Sequence, residues 1–271
     1  MIIKDTFSKF TNISKLSGSI AFFTNEKSEI THLKKYLSSS DYKSLNTLLK
    51  NKNKKKGLLS FDLNANQKII LISLKKNQKS NETEKSGAML TDFLNSEGAE
   101  ITHIVSDTIS INLKPDAIYE FLHGMRLKSY SFDRYKSRKV SSILKVNITS
   151  SKKFHKKTYD KFKAIELGVN YTKDLVSEPG NILHPDEYAK RLTQLKKIGL
   201  KVSVYNEKQL KKMGCGALVG VGQGSIRGTY LVTLEWRGKK SNSKPLAFVG
   251  KGVCFDTGGI SLKPARFMED M

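Results

Sequence analysis

The run KIILISL at residues 68–74 is the stretch that decides the fold. It is short, almost entirely apolar and rich in isoleucine, which is typical of a buried strand. A second run of the same kind, GSIAFF, occupies residues 18–23. Further along, the apolar residues take up helical spacing at 41–49, 86–94 and 116–127. The alternation of strands and helices predicts an α/β fold.

A polar, basic segment at 148–158, ITSSKKFHKKT, separates this part of the chain from a second one. We place the boundary after residue 155, which predicts an N-terminal α/β domain at 1–155 and a second α/β region at 156–271. The second region alternates in the same way. Its predicted elements are helices at 159–174, 185–198 and 207–213, and strands at 201–205, 229–236 and 246–249.

The composition limits the classes of function. The net charge of +23 comes from 48 Lys and Arg against 25 Asp and Glu, and the excess is spread along the chain rather than concentrated. The densest basic run, at 50–56, has no aromatic residue that could stack on a base, so we predict an exposed loop there. No apolar run is long enough to span a membrane. Two cysteines, Cys215 and Cys254, are too few for a disulfide framework, which favours the reducing cytoplasm.

The chemistry concentrates at 249–271, VGKGVCFDTGGISLKPARFMEDM. Lys251 stands between two glycines directly after a predicted strand, Asp256 follows it, and Lys263 precedes a proline. Charged residues in loops at the carboxyl end of a strand suit a ligand site on an open α/β sheet. The spacing around Lys251 is not that of a phosphate-binding P-loop.

This stretch resembles the metal-binding signature of the leucyl aminopeptidases, the two-metal peptidase family M17. Further segments follow in the order of that family: FDRYK at 132–136, KDLVSEP at 173–179, VGQGS at 221–225 and LEW at 234–236. The resemblance implies an N-terminal α/β (macro-like) domain. It also implies the beginning of an α/β/α catalytic domain with a mixed central sheet. The reaction implied is the release of N-terminal residues, preferably leucine, from peptides.

The resemblance assigns a role to each of three residues. Lys251 matches a lysine that binds one metal through its amine, and Asp256 matches a carboxylate that bridges both metals. Lys263 matches a lysine that polarises the scissile carbonyl. An ammonium has no free lone pair, so Lys251 must lose its proton to bind a metal. A charged Lys263 would instead stabilise the intermediate. The two implied divalent metals are Mn²⁺, with Zn²⁺ or Mg²⁺ as alternatives.

The family's remaining acidic metal ligands, and an arginine that helps to bind bicarbonate, would lie beyond Met271. Glu269 and Asp270 are out of register with them. We therefore expect a metal-dependent aminopeptidase in the full-length form and negligible peptidase activity for this chain alone. The resemblance further implies a peptide substrate, a cytoplasmic location and a homohexamer.

Two other hypotheses stay open. The chain could be a truncated, non-catalytic remnant, or the partner of a separately encoded C-terminal half. It could also be a nucleic-acid-binding protein, because some members of the family bind DNA as well, although we do not expect nucleic acid to be the main partner.

The glycines at 220–224 lack the context of a dinucleotide fingerprint, because a strand follows them. Cys254 is predicted to pack as a small apolar side chain. The five histidines show no metal-ligand spacing.

Overall fold

A computed structural model describes residues 2–10, 12–50, 57–137, 142–238 and 244–270. Contacts divide the chain into two compact units, Met1–Asp174 and Leu175–Met271. The basic loop predicted at 50–56 lies, apart from Lys50, outside the described residues. Among the described residues, no helix has both the length and the apolar character needed to cross a bilayer.

The first unit is built on one six-stranded sheet, in the order β1-β6-β5-β2-β4-β3. Every neighbouring pair is parallel except the edge pair of β3 and β4, which is antiparallel. The strands are β1 (Ile2–Lys9), β2 (Gly18–Asn25), β3 (Leu58–Asn64), β4 (Gln67–Leu74), β5 (Ile101–Val105) and β6 (Ile143–Ser150). The predicted α/β fold with strands at 18–23 and 68–74 is confirmed.

Helices cover both faces of this sheet. They are α1 (Ser39–Lys50), α2 (Ser80–Ser96), α3 (Ala117–Lys128) and α4 (Lys156–Ser177). Along β2, Ala21 and Phe23 contribute to the core shared with α2 and α3, whereas Ile20 and Phe22 contribute to the core shared with α1. Because both faces are buried, the central strands are apolar throughout instead of alternating with polar residues. This is why the run at 68–74 identified the sheet.

The division between the units falls later than the boundary predicted after residue 155. The long helix α4 begins at Lys156, and its Tyr159 and Phe162 pack against the core of the first unit. Most of this helix therefore belongs with the first unit. The predicted domain boundary stays a prediction, because compactness does not fix where an evolutionary domain begins.

Helices α2 and α3 approach each other closely through two glycines. A Cβ atom on Gly87 would lie 2.0 Å from the carbonyl oxygen of Phe121. One on Gly124 would lie 1.9 Å from the carbonyl oxygen of Glu84. Such distances are far inside van der Waals contact, so only glycine fits at either position. The two glycines thus set the separation of the helices on this face of the sheet.

A buried polar cluster ties β1, α3 and α4 together. The guanidinium of Arg126 pairs with Asp5, lies 3.7 Å from Glu166 and stands 4.7 Å from the ring centroid of Tyr159. The Tyr159 hydroxyl donates to Asp5 at 2.8 Å. Burial and the hydrogen bond to Asp5 raise the pKa of Tyr159 to about 12, so its hydroxyl keeps the proton that it donates. Two carboxylates are therefore buried around one guanidinium, which compensates both, and Lys163 also pairs with Glu166 at 3.2 Å.

The second unit has less regular structure. Its elements are α5 (Pro185–Thr193), β7 (Lys201–Tyr205), α6 (Glu207–Lys212), α7 (Gly216–Gly222) and β8 (Leu231–Glu235). Strands β7 and β8 form an antiparallel pair. The predicted helix at 185–198 continues beyond α5 as a 3₁₀ segment, Gln194–Ile198. The left-handed Gly199 follows this segment, and Gly214, also left-handed, follows α6. Glycine adopts this backbone conformation without steric cost.

One predicted element is wrong. Residues 246–249 were expected to form a buried strand, yet they pair with no strand among the described residues. Leu246, Phe248 and Val249 are 81%, 88% and 101% exposed. An apolar sequence favours a strand only when neighbouring strands supply backbone hydrogen bonds and a surface to cover it. In the described part of the second unit, this stretch has no neighbouring strand and no surface that covers it.

Candidate functional site

Lys251, Asp256 and Lys263 all lie in irregular loops of the second unit. The structure brings two of them together. The Lys263 ammonium donates to the backbone carbonyl of Asp256 at 2.9 Å, and the Lys263 backbone N–H donates to the carbonyl of Thr257 at 2.9 Å. The Asp256 carboxylate accepts the backbone N–H of Gly258 at 2.8 Å. Residues 256–263 therefore form a closed loop held at both ends.

Glycine is required at the tip of this loop. Gly258 has φ +97°, and a Cβ there would lie 2.5 Å from the backbone oxygen of Ser261. The following Gly259 has φ +74°. Left-handed conformations are strained for residues with a side chain, so the pair lets the chain reverse and return Lys263 to Asp256.

Lys251 is placed differently. Its side chain is exposed, and the loop that carries it lies against α5. A Cβ on Gly252 would meet the Tyr188 ring at 3.0 Å, and a Cβ on Gly180 would meet the Cβ of Phe255 at 2.9 Å. The backbone of the lysine turn and the segment before α5 thus approach each other closely at glycines. This contact orients the turn.

A polar cluster at the start of α5 lies beside the same loop. His184 caps the helix, its ring nitrogen 3.4 Å from the N–H of Glu187, and it pairs with Asp186. Arg227 donates to the other Asp186 oxygen at 3.1 Å. Burial and the charge of Asp186 raise the pKa of the Cys254 thiol. A raised pKa disfavours the reactive thiolate, which agrees with the prediction that Cys254 has a packing role.

Sequence reasoning missed one buried ion pair. The carboxylate of Glu178 is fully buried and accepts from Arg191 at 2.7 Å, while Arg191 also donates to Glu187 at 3.1 Å. Glu187 and Arg191 are four residues apart on α5, and this spacing predicts an ion pair between them on a helix. The pairing of Arg191 with Glu178 depends on the turn between them, which no local pattern specifies.

The described residues do not fit a two-metal centre by themselves. Lys251 and Asp256 are the two predicted ligands, and one oxygen of Asp256 already accepts a backbone N–H. Among the described residues, no three His, Cys, Asp or Glu side chains are grouped so that they could hold a metal ion. Two divalent metals need more donors than one amine and one carboxylate. No catalytic step through metals can be derived from this set alone.

Comparison with known proteins supplies the context for this loop. Residues 170–271 match the model of the cytosol aminopeptidase family, catalytic domain. A probable cytosol aminopeptidase of Brucella suis is 45% identical over 192 residues, which are 68% of this chain and 38% of the relative. The corresponding protein of Phytoplasma australiense is 43% identical over 190 residues, 69% of this chain and 38% of the relative. The chain thus spans about two fifths of these relatives.

Solved structures share the fold. A mutant of tomato leucine aminopeptidase superposes with a TM-score of 0.75 at 19% identity, covering 94% of this chain and 55% of that chain. The bottromycin maturation enzyme BotP in complex with Mn gives a TM-score of 0.68 at 18% identity, covering 93% and 51%. The mixed α/β architecture with a mostly parallel sheet is therefore similar to the leucine aminopeptidase fold. The family-model match shows that residues 170–271 belong to the cytosol aminopeptidase family, catalytic domain.

Proposed function

We propose that residues 170–271 supply the first part of the active site of an aminopeptidase that releases N-terminal residues, preferably leucine, from peptides. The observation that carries the proposal is the closed loop at 256–263, which places the Lys263 ammonium beside Asp256. The family match over the same residues supports it. Because the relatives are named cytosol aminopeptidases, we also propose a cytoplasmic location and keep the homohexamer as a proposal.

Each of the three residues takes a distinct role in this proposal. The carboxylate of Asp256 and the amine of Lys251, once neutral, would be two of the ligands for divalent metals, with Mn²⁺ preferred, and the remaining ligands would have to come from elsewhere. The Lys263 ammonium stabilises the negative charge that develops on the carbonyl oxygen of the substrate. The backbone of the 256–263 loop orients Lys263, because the Lys263 ammonium donates to the carbonyl of Asp256 and the Lys263 N–H donates to the carbonyl of Thr257.

The purified chain is expected to be inactive alone, because its described residues leave the metal centre incomplete. The assay is release of nitroaniline from leucine p-nitroanilide with and without added Mn²⁺. We expect no turnover above the buffer in either condition. Turnover that requires Mn²⁺ and disappears in Asp256→Ala would show that the chain completes a metal centre, and would overturn this expectation.

A second candidate is favoured by the exposed apolar side chains of the second unit. Leu246, Phe248, Val249 and Ile260 are each more than 80% exposed, which is unusual for neighbours along one loop region. A further polypeptide that carries the rest of the catalytic domain would cover them. The chain alone is inactive in both candidates, and activity that appears on adding such a polypeptide would favour this second one.

A further inference from the structure

The first unit contains a cavity that the peptidase proposal does not use. It opens at the carboxyl ends of β1 and β6, beside the 3₁₀ segment Ser106–Ile111 that follows β5. These three strands are parallel neighbours, so their carboxyl ends meet at one edge of the sheet. That edge is where open α/β sheets bind ligands. The cavity holds about 610 Å³, a size suited to a small molecule.

Aromatic rings form part of the cavity lining. Phe7 and Phe154 have ring centroids 4.2 Å apart, and Tyr119 lies 6.5 Å from Phe7 and 6.1 Å from Phe154. The position of Tyr119 is fixed, because its hydroxyl accepts the backbone N–H of His155 at 2.8 Å. Tyr119 is only 5% exposed and Ile148 1%, so these two side chains support the cavity wall from behind. The partly exposed rings of Phe7 and Phe154 offer the apolar surface on which a flat ring can stack.

The residues that line the cavity carry more positive than negative charge. Four lysines line it: Lys9, Lys114, Lys152 and Lys153. The two acidic residues of the lining are already engaged. Asp107 accepts from the Ser150 hydroxyl at 2.7 Å and from the Ser151 N–H at 2.8 Å, and Asp116 pairs with His155 at 2.9 Å.

The state of Asp107 keeps it from acting as a second binding group. Burial raises the pKa of its carboxyl, but the hydrogen bonds from Ser150 and Ser151 and the charge of Lys152 together lower it below the ordinary value. Asp107 is therefore ionised, and its two carboxylate oxygens accept the hydrogen bonds that stabilise the turn after β6. The lysines remain as the groups that can meet a ligand, with the Lys152 ammonium also donating to the Ser110 hydroxyl at 3.2 Å, and they favour an anion.

We propose that this cavity binds a small anion that carries a planar ring. The ring stacks on Phe7 and Phe154, and the anionic group is held by the lysines. Two sources share this chemistry: a nucleoside phosphate and an aromatic carboxylate. All the lining residues belong to the first unit, so ligand binding in this cavity does not depend on the proposed peptidase function.

The test is isothermal titration of the full chain with AMP and with N-acetylphenylalanine. Adenosine and inorganic phosphate, titrated in parallel, carry the ring and the anion separately. We expect at least one ring-bearing anion to bind saturably, and adenosine and phosphate to bind about tenfold more weakly. Preference for AMP would identify the nucleotide source, and preference for N-acetylphenylalanine the carboxylate source.

Substitutions in the cavity and a matched control pair at the surface distinguish binding in the cavity from nonspecific attraction to surface charge. The double substitution Lys152→Glu and Lys153→Glu is expected to weaken binding about tenfold or more, and Phe154→Ala to weaken it similarly. The exposed pair Lys43→Glu and Lys85→Glu changes the net charge equally, away from the cavity, and should leave binding unchanged. The proposal is overturned if neither anion binds, if adenosine or phosphate binds as well as the ring-bearing anions, or if the two lysine pairs weaken binding equally.

Discussion

Replacing Lys263 by methionine is expected to lower kcat about 10²–10³-fold in a hybrid aminopeptidase. The hybrid carries residues 170–271 of this chain in place of the matching part of a complete relative such as the Brucella suis protein, which is 45% identical over 192 residues. The loss is expected to be this large because the Lys263 ammonium would stabilise charge that develops only in the transition state. Such an interaction lowers kcat when it is removed and leaves KM little changed.

The matched control is Lys208→Met in the same hybrid. Lys208 is exposed on α6, and its loss removes one positive charge without touching the 256–263 loop. Steady-state hydrolysis of leucine p-nitroanilide in Mn²⁺ compares the variants. Unchanged kcat in the Lys263 variant, or an equal loss in both variants, would contradict the role assigned to Lys263. A rise in KM alone would limit Lys263 to substrate binding.

The second large effect concerns stability. Arg126→Met leaves Asp5 buried without its cation, while Glu166 keeps only the partly exposed Lys163 at 3.2 Å. Removing one partner of a buried ion pair costs about 3–5 kcal/mol. Only 3% of the Arg126 side chain is exposed, and only 7% of that of Asp5. The measurement is the urea midpoint of unfolding, followed by circular dichroism. We expect a midpoint far below that of the unaltered chain, or no folded baseline at all.

The control for this prediction lies two residues along the same helix. Lys128 pairs with Asp92 at 3.0 Å at the surface, where both side chains are about half exposed. Exposed ion pairs contribute at most about 1 kcal/mol, so Lys128→Met should shift the midpoint little. If the two variants unfold at the same urea concentration, the buried cluster contributes no more to the stability of the first unit than a surface ion pair does.

The parts of the fold that the sequence predicted share a physical cause. The runs at 18–23 and 68–74 are apolar on both faces because helices cover both faces, and such a pattern is visible without the structure. The helices at 41–49 and 116–127 were predicted from spacing, and their ends differ by only a few residues from those observed. The helix predicted at 207–213 likewise agrees with α6, and the left-handed Gly214 follows it.

The failures arise where structure depends on distant partners. The stretch at 246–249 has the composition of a strand, but composition does not show whether a neighbouring strand is present. The pairing of Arg126 with Asp5 joins residues 121 positions apart, so no local pattern predicts it. In the candidate site, the resemblance singled out Asp256 and Lys263, and the structure then showed that a backbone carbonyl of one holds the side chain of the other.

The central claim is that the described residues of this chain include two metal-ligand candidates of the aminopeptidase site, Lys251 and Asp256, and do not by themselves complete a two-metal centre. Isothermal titration of the purified chain with Mn²⁺ tests it most directly. The claim predicts no saturable binding of two Mn²⁺ per chain, and any weak binding should disappear in Asp256→Ala. Tight binding of two Mn²⁺ per chain would contradict the claim.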